Sequence, residues 1–192
     1  MSSLRARILD DTRQLIGENG AAISMSDVAA AAGVSRQAVY LHFPSRARLF
    51  LELVRQMDDE AQIRPRLAIA LEADDPVEAL RGFLATWLRF AATIQPVATV
   101  LLATRTTDTD AWAAWDDRMT ELRGGHLHAA RRLAGAGLLR GGLDPRRAAD
   151  LTWALTSVQV WEQLRLDRAW TARRVERELV DAVVAAVVVS ND

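Results

Sequence analysis

The chain has 192 residues, 50% hydrophobic and 26% charged, with a formal net charge of −1. That composition fits a soluble globular protein of one or two domains with a real core. It has no cysteine, which excludes disulfides, thiolate zinc sites and cysteine nucleophiles.

Met1 to Arg5 leads into a charged amphipathic pattern rather than a signal peptide. Leu4, Ile8, Thr12, Leu15 and Ile16 recur at helical spacing and predict a first helix over about Ser3–Asn19, ended by Asn19-Gly20. Ser24 is placed to cap a second helix, with Asp27 three residues on as a capping-box variant. Val28 to Ala32 is small and apolar, and Gly33 supplies the left-handed conformation that ends a helix at low steric cost. Ser35 caps a third helix that opens Arg36-Gln37-Ala38. A helix, a Gly-containing turn and a second capped helix make the helix-turn-helix pattern, whose second helix places its first residues at base edges in the major groove. Pro44 stops that helix and Ser45 caps the next. This fourth helix carries Leu49, Phe50, Leu53, Val54 and Met57 inward and fades near Arg64-Pro65. From Val28 to Leu51 there are three arginines (Arg36, Arg46, Arg48) and no acid, so the segment is locally positive in a neutral chain.

Arg66 to Ala73 is apolar and helix-prone. Asp74-Asp75-Pro76 starts a helix with acids at the positive dipole end; Leu80, Phe83, Leu84, Trp87, Ala91 and Ile94 carry it to Gln95-Pro96. Val97 to Thr104 reads as a short buried helix, Arg105 to Asp110 as a polar turn. A long helix over about Asp110–Ala134 has the stripe Trp112, Trp115, Met119, Leu122 and His126. Gly135 to Gly142 break the chain. Asp144-Pro145 starts a helix to about Leu166, and Thr171 starts a last one to about Val189. The VVAAVVV tail from Val183 has some strand character, but a lone strand there has no expected partner. No run of about 18 apolar residues marks a membrane span; Leu179 to Val189 comes closest and contains Asp181. The expected location is cytoplasmic.

Between Arg7 and Leu53 the chain resembles the TetR family of transcriptional regulators. The residues that carry the resemblance are Ile8-Leu9-Asp10, the AAGVSR run ending at Arg36, the Tyr40-x-His42-Phe43 signature and Ser45-Arg46. It implies an all-α fold, with a three-helix helix-turn-helix DNA-binding domain over 1–47 and a helical effector-binding and dimerisation domain over 48–192. The expected DNA-binding residues are Ser24, Ser35, Arg36, Gln37, Ala38, Tyr40, His42 and Arg46. Arg suits guanine, Gln adenine and an Ala methyl thymine; the family often has a small residue where Gln37 stands. Tyr40 and His42 match positions that usually touch phosphate, and Ser24 and Arg46 lie at helix starts suited to one.

All six Trp lie after residue 86. Trp87, Trp112, Trp115, Met119, Leu122, His126 and Trp153 are the candidate lining of an aromatic effector pocket, which occurs between helices in such proteins. The last two helices are apolar on more than one face, and a helix apolar nearly all round is buried on both sides. Leu151, Leu155, Val158, Trp161, Leu179, Val183 and Val187 are therefore the candidate face of a two-fold homodimer.

Catalysis has little support. His126 and His128 are two apart and diverge on a helix, a poor metal pair. No Gly-rich phosphate loop or nucleophile elbow is present, and neither metal nor cofactor is expected. The expected function is a transcriptional regulator, a repressor released from a palindromic double-stranded DNA operator by a small hydrophobic or aromatic effector. The alternatives are a small-molecule-binding module with a non-functional DNA head, an activator of the same fold, and a small helical enzyme using His126 or an acid of the Trp pocket.

Overall fold

The computed structural model describes residues 3–20, 22–103 and 106–189. They form ten α-helices: α1 (Leu4–Asn19), α2 (Met25–Ala31), α3 (Arg36–His42), α4 (Arg46–Ala61), α5 (Ile63–Leu71), α6 (Pro76–Ala103), α7 (Thr109–Gly135), α8 (Pro145–Leu155), α9 (Val158–Glu162) and α10 (Ala172–Val187), with a π-helical turn at Gln163–Asp167 after α9. The fold is all-α, as the periodicity predicts. Thr104 and Arg105, assigned above to a helix end and a turn, lie outside the described residues.

Most helix starts sit where a short polar side chain accepts a backbone N–H. Ser3 caps α1, Asp144 caps α8 and Thr171 caps α10. Asp75 Oδ1 accepts from the Val77 N–H at 2.7 Å to open α6.

The chain divides into two compact units, one of Met1–Asp59 with Ile94–Asp116 and the other of Glu60–Thr93 with Asp117–Asp192. The boundary expected at 47/48 falls inside α4, and each unit is built from two stretches of chain. In unit 1, Ile8, Val28, Val39, Phe43, Leu49, Phe50, Ala98 and Leu101 are buried. Ion pairing and hydrogen bonding hold α1 to α4 through Arg5–Glu52 at 2.6 Å and Gln56–Asp10 at 2.7 Å. In unit 2, Leu80, Phe83, Leu84, Ala129, Leu133, Val175 and Val183 are buried. There α6 is clamped to α10 by Arg89, whose Nε and Nη2 both reach Glu176 at 2.6–3.0 Å, and by Arg81–Asp181 at 2.7 Å. The Glu176 carboxylate hydrogen-bonds the Arg89 guanidinium and holds its pKa above the usual value.

Four expectations are corrected. First, α6 does not stop at Gln95-Pro96 but runs unbroken through Pro96 to Ala103. Proline removes one hydrogen bond from the ladder, yet Ile94, Val97, Ala98 and Leu101 on both sides of it are buried, and packing of an apolar face outweighs local propensity. The same helix is long and apolar enough to meet the length and composition of a membrane span, against the expectation that no segment does. Half of that stretch is buried inside the protein, as in a core helix. Second, α4 ends at Ala61 and α5 begins at Ile63, with Gln62 between them in the left-handed region at φ 49°. Third, the helix expected from Asp144 to Leu166 is two. Thr156, wholly buried, turns its hydroxyl back onto the Thr152 carbonyl at 2.7 Å, and Ser157 then caps a new helix by accepting from the Val160 N–H. Hydroxyl groups compete with the helical ladder in this way. Fourth, the β-branched tail does find a partner. Val188 forms an antiparallel bridge with Leu139, through Arg140 N–H to Val187 O at 2.8 Å and Val189 N–H to Leu138 O at 3.0 Å.

Candidate nucleic-acid interface

The α2–turn–α3 geometry follows from three local devices. The Ser24 hydroxyl accepts from the Asp27 N–H at 3.2 Å while the Asp27 carboxylate accepts from the Ser24 N–H at 2.7 Å, a complete capping box. The backbone and side-chain hydrogen bonds from Ser24 hold the Asp27 carboxyl below the ordinary aspartate value. At the other end, Gly33 takes φ +62°, the Val34 N–H returns to Ala29 O at 3.0 Å and the Gly33 N–H to Ala30 O at 3.2 Å. That pair of bonds is the Schellman motif, which needs a residue without Cβ strain at this position. Ser35 then caps α3 by accepting from the Ala38 N–H at 3.1 Å. Arg7 reaches across from α1 to the Ala32 carbonyl at 3.3 Å.

α3 is short and two-faced. Val39 and Phe43 are buried, and Arg36, Gln37, Tyr40, Leu41 and His42 are exposed. Ser35 is exposed and Ala38 half-buried at the helix start. Ser24, Arg36, Tyr40, Pro44, Ser45 and Arg46 are among the residues lining one open groove of about 580 Å³, so four residues expected at DNA share one concave surface. The Arg36 guanidinium lies 6.0 Å from the Tyr40 ring centroid and that of Arg46 lies 5.1 Å from the Phe50 centroid, each at the i,i+4 spacing of a helix face.

Two features of this face escape the sequence pattern. Leu41 is 79% exposed, beside the polar residues of α3; its signal was a large apolar residue on the helix side opposite the buried Val39. Asp108, read above only as part of a polar turn, accepts from the Ser45 hydroxyl at 2.8 Å, while Ser45 Oγ accepts from the Arg48 N–H at 3.2 Å. The residue that opens α4 is thus bonded to a carboxylate 63 positions away. At Ser24, likewise, the N–H and hydroxyl that suited a phosphate both donate to Asp27 at 2.7 Å.

The residues expected around an effector do not all share a unit. Trp112 and Trp115 belong to unit 1, and Trp87, Met119, Leu122, His126 and Trp153 to unit 2. Trp87 is buried, and its indole N–H donates to the Thr156 carbonyl at 2.8 Å, a group set free by the break between α8 and α9. The Arg123 guanidinium lies 5.3 Å from the Trp153 ring centroid. Trp115 and Leu122 are buried and Trp112 and Met119 half-buried. His126 is 1% exposed; its Nδ1 is 2.9 Å from Thr152 Oγ1 and its ring meets Phe83 edge-to-face at 5.0 Å.

Of the seven residues expected at a dimer face, Val158 and Trp161 on α9 and Leu179, Val183 and Val187 on α10 are buried within unit 2 of the single chain. Of the seven, Leu151 is 42% exposed and Leu155 is half-buried.

Burial pushes the His126 imidazole down to a pKa of about 3. The unfolded imidazole takes up a proton near pH 6.5, so between those values the unfolded state binds more protons and stability falls as pH is lowered. The contribution is complete above pH 6.5. Between pH 7 and pH 5 the expected loss is about 2 kcal/mol, and His126→Phe should remove most of that slope. Urea melts at the two pH values check this; equal slopes in both proteins would refute it.

Residues 8–53 match the family model for bacterial regulatory proteins of the tetR family. The chain is 38% identical over 73 residues to the nucleoid occlusion factor SlmA of Shewanella amazonensis, a match spanning 38% of this chain and 37% of that protein. Among solved structures, it superposes on a transcriptional regulator from Saccharomonospora viridis, in complex with choline, with a TM-score of 0.75 at 20% identity, covering 97% and 98% of the two chains. It superposes on the regulator FadR of Bacillus subtilis, in complex with stearoyl-CoA, with a TM-score of 0.71 at 18% identity, covering 94% and 98%.

Proposed function

We propose that this chain, a member of the TetR family of bacterial regulatory proteins through residues 8–53, is a homodimeric repressor that binds a near-palindromic operator and leaves it when a small effector occupies the helical body. Family membership makes it a DNA-binding transcriptional regulator; the sign of regulation, the dimer and the release are our reading. The observation that carries it is the open groove on which Ser24, Arg36, Tyr40 and Arg46 converge, next to the exposed Gln37, Leu41 and His42. Arg36 and Gln37 read base edges there, the Leu41 side chain suits a thymine methyl, and Tyr40, His42 and Arg46 hold phosphates. Two copies of α3 roughly 34–36 Å apart would meet successive major grooves, and α8 presents Leu151 and Leu155 for the partner. The reading places the protein in the cytoplasm. The two solved neighbours carry choline and stearoyl-CoA, so ligand chemistry varies on this fold and has to be argued from this chain's own side chains. By linkage, operator binding weakens effector binding by the same factor that the effector weakens operator binding.

Selection of bound duplexes from random DNA at about 150 mM salt tests the reading, because phosphate-driven affinity depends on salt. An inverted repeat is expected. Arg36→Ala, Gln37→Ala and Leu41→Ala should each relax the preference at one position per half-site, by about 1–3 kcal/mol for a bidentate contact. Arg46→Ala should weaken all sequences alike and lower the salt slope by about 1. A folded, dimeric protein that enriches no sequence would overturn the repressor reading and favour a ligand-binding module.

A further inference from the structure

We infer that the effector of this protein carries a hydrogen-bond donor, a hydroxyl or N–H on an apolar or aromatic body, and that it is recognised through the bare Nε2 lone pair of His126. The inference rests on the proposed effector role of the helical body and adds the ligand's polar chemistry.

It follows from proton bookkeeping around one ring. Thr152 has a single hydroxyl proton, and its Oγ1 stands 2.9 Å from the Ala149 carbonyl and 2.9 Å from His126 Nδ1. A carbonyl oxygen only accepts, so the Thr152 proton goes to Ala149. Oγ1 then has only lone pairs to offer the ring, and Nδ1 must carry the imidazole proton. That is the one arrangement in which both short contacts are hydrogen bonds. Nε2 is left as an acceptor; it is buried and has no partner among the described residues. The reverse tautomer would bury an unpaired N–H, which is rarer still in native structures.

The ring has little freedom to turn toward another partner. Phe83 meets it edge-to-face at 5.0 Å, and the same Phe83 ring lies so close to the adjacent Gly125 that a Cβ there would stand 2.6 Å from it. A buried acceptor without a donor is destabilising, and each such group in a native protein calls for an explanation. A ligand donor supplies one. Burial also keeps the ring neutral throughout the physiological range, so the acceptor is available at any pH the cell presents.

The test uses the full-length protein with matched probes that differ only by the donor: 1-naphthol against naphthalene, and indole against indene. Nitrogen-15 spectra of the imidazoles, assigned by the signal lost in His126→Gln, report Nε2 directly. In the free protein Nε2 should be unprotonated and without a hydrogen bond. At least one donor probe should shift that resonance while its donor-free partner does not, and should bind about tenfold tighter by tryptophan fluorescence. His126→Phe should still bind the donor-free probe and should lose the preference. A protonated Nε2, a hydrogen bond from a buried water in the free protein, equal affinities within both pairs, no binding by any probe, or a preference kept in His126→Phe would each overturn the inference. Selection of an inverted repeat by the same preparation is read separately, so failure here leaves the DNA reading standing.

Discussion

Phe43→Ala should cost unit 1 about 3–5 kcal/mol, the usual effect of emptying a fully buried aromatic site. Phe43 is 1% exposed, and its N–H closes α3 on the Val39 carbonyl at 2.9 Å. The Arg5 guanidinium from α1 lies 5.3 Å from its ring centroid. The ring therefore fixes the back of the helix whose front carries Arg36, Gln37 and Tyr40. Sequence-specific DNA affinity should fall with stability, and restoring stability with a low temperature or an osmolyte should recover part of it. Urea unfolding, with amide exchange across residues 36–43, measures the first effect. A loss below about 1 kcal/mol would show that the ring is not a packing element.

The second large effect separates two neighbouring glycines. Glycine within a helix ordinarily costs about 1 kcal/mol relative to alanine, so Gly124→Ala should stabilise unit 2 by roughly that amount: a Cβ there meets nothing within 4 Å. Gly125→Ala should do the opposite. Its Cβ would lie 2.6 and 2.7 Å from Cε2 and Cζ of Phe83, a ring that is 1% exposed and packed edge-to-face against His126. Overpacking of this kind costs about 1–3 kcal/mol, enough to outweigh the gain in propensity. Adding Phe83→Leu to Gly125→Ala should recover part of the loss, giving a coupling of at least about 0.5 kcal/mol in a double-mutant cycle. Two alanines that both stabilise would mean that Phe83 does not sit against Gly125.

The contrast between these glycines shows where sequence reading stops. Gly124 and Gly125 are identical in pattern; only the fold seats an aromatic ring on one of them. The readings that succeeded were local. Ser24, Ser35, Ser45, Asp75, Asp144 and Thr171 start helices by accepting a backbone N–H within three residues, and Gly33 ends one by its own conformation. The breaks at Gln62 and Thr156 were local but unmarked by periodicity, whereas two other readings failed for want of a partner distant in sequence. Pro96 looked like a stop until the burial around it was known, and Val188 looked unpaired until Leu139 came to it. On α10, Leu179, Val183 and Val187 were recognisable as an apolar stripe, but periodicity does not distinguish a stripe turned inward from one awaiting a second subunit. The exposed face of α3 was legible as polar residues at a capped helix start. The Asp108–Ser45 bond and the Thr152–His126 bond, spanning 63 and 26 residues, were not.

The composition of unit 1 bears on how such regulators can be rewired. A DNA-reading module that ended near residue 59 could be exchanged as a cassette, one splice giving a new operator preference to an old sensor. Here the compact unit also takes in 94–116, whose Ile94, Val97, Ala98 and Leu101 are buried and whose Asp108 holds Ser45. A chimera cut once would strand that second stretch against an unfamiliar head. Functional hybrids of this protein should therefore need either both stretches from one parent or a donor head that already tolerates this chain's 94–116, and natural shuffling would be held to the same condition.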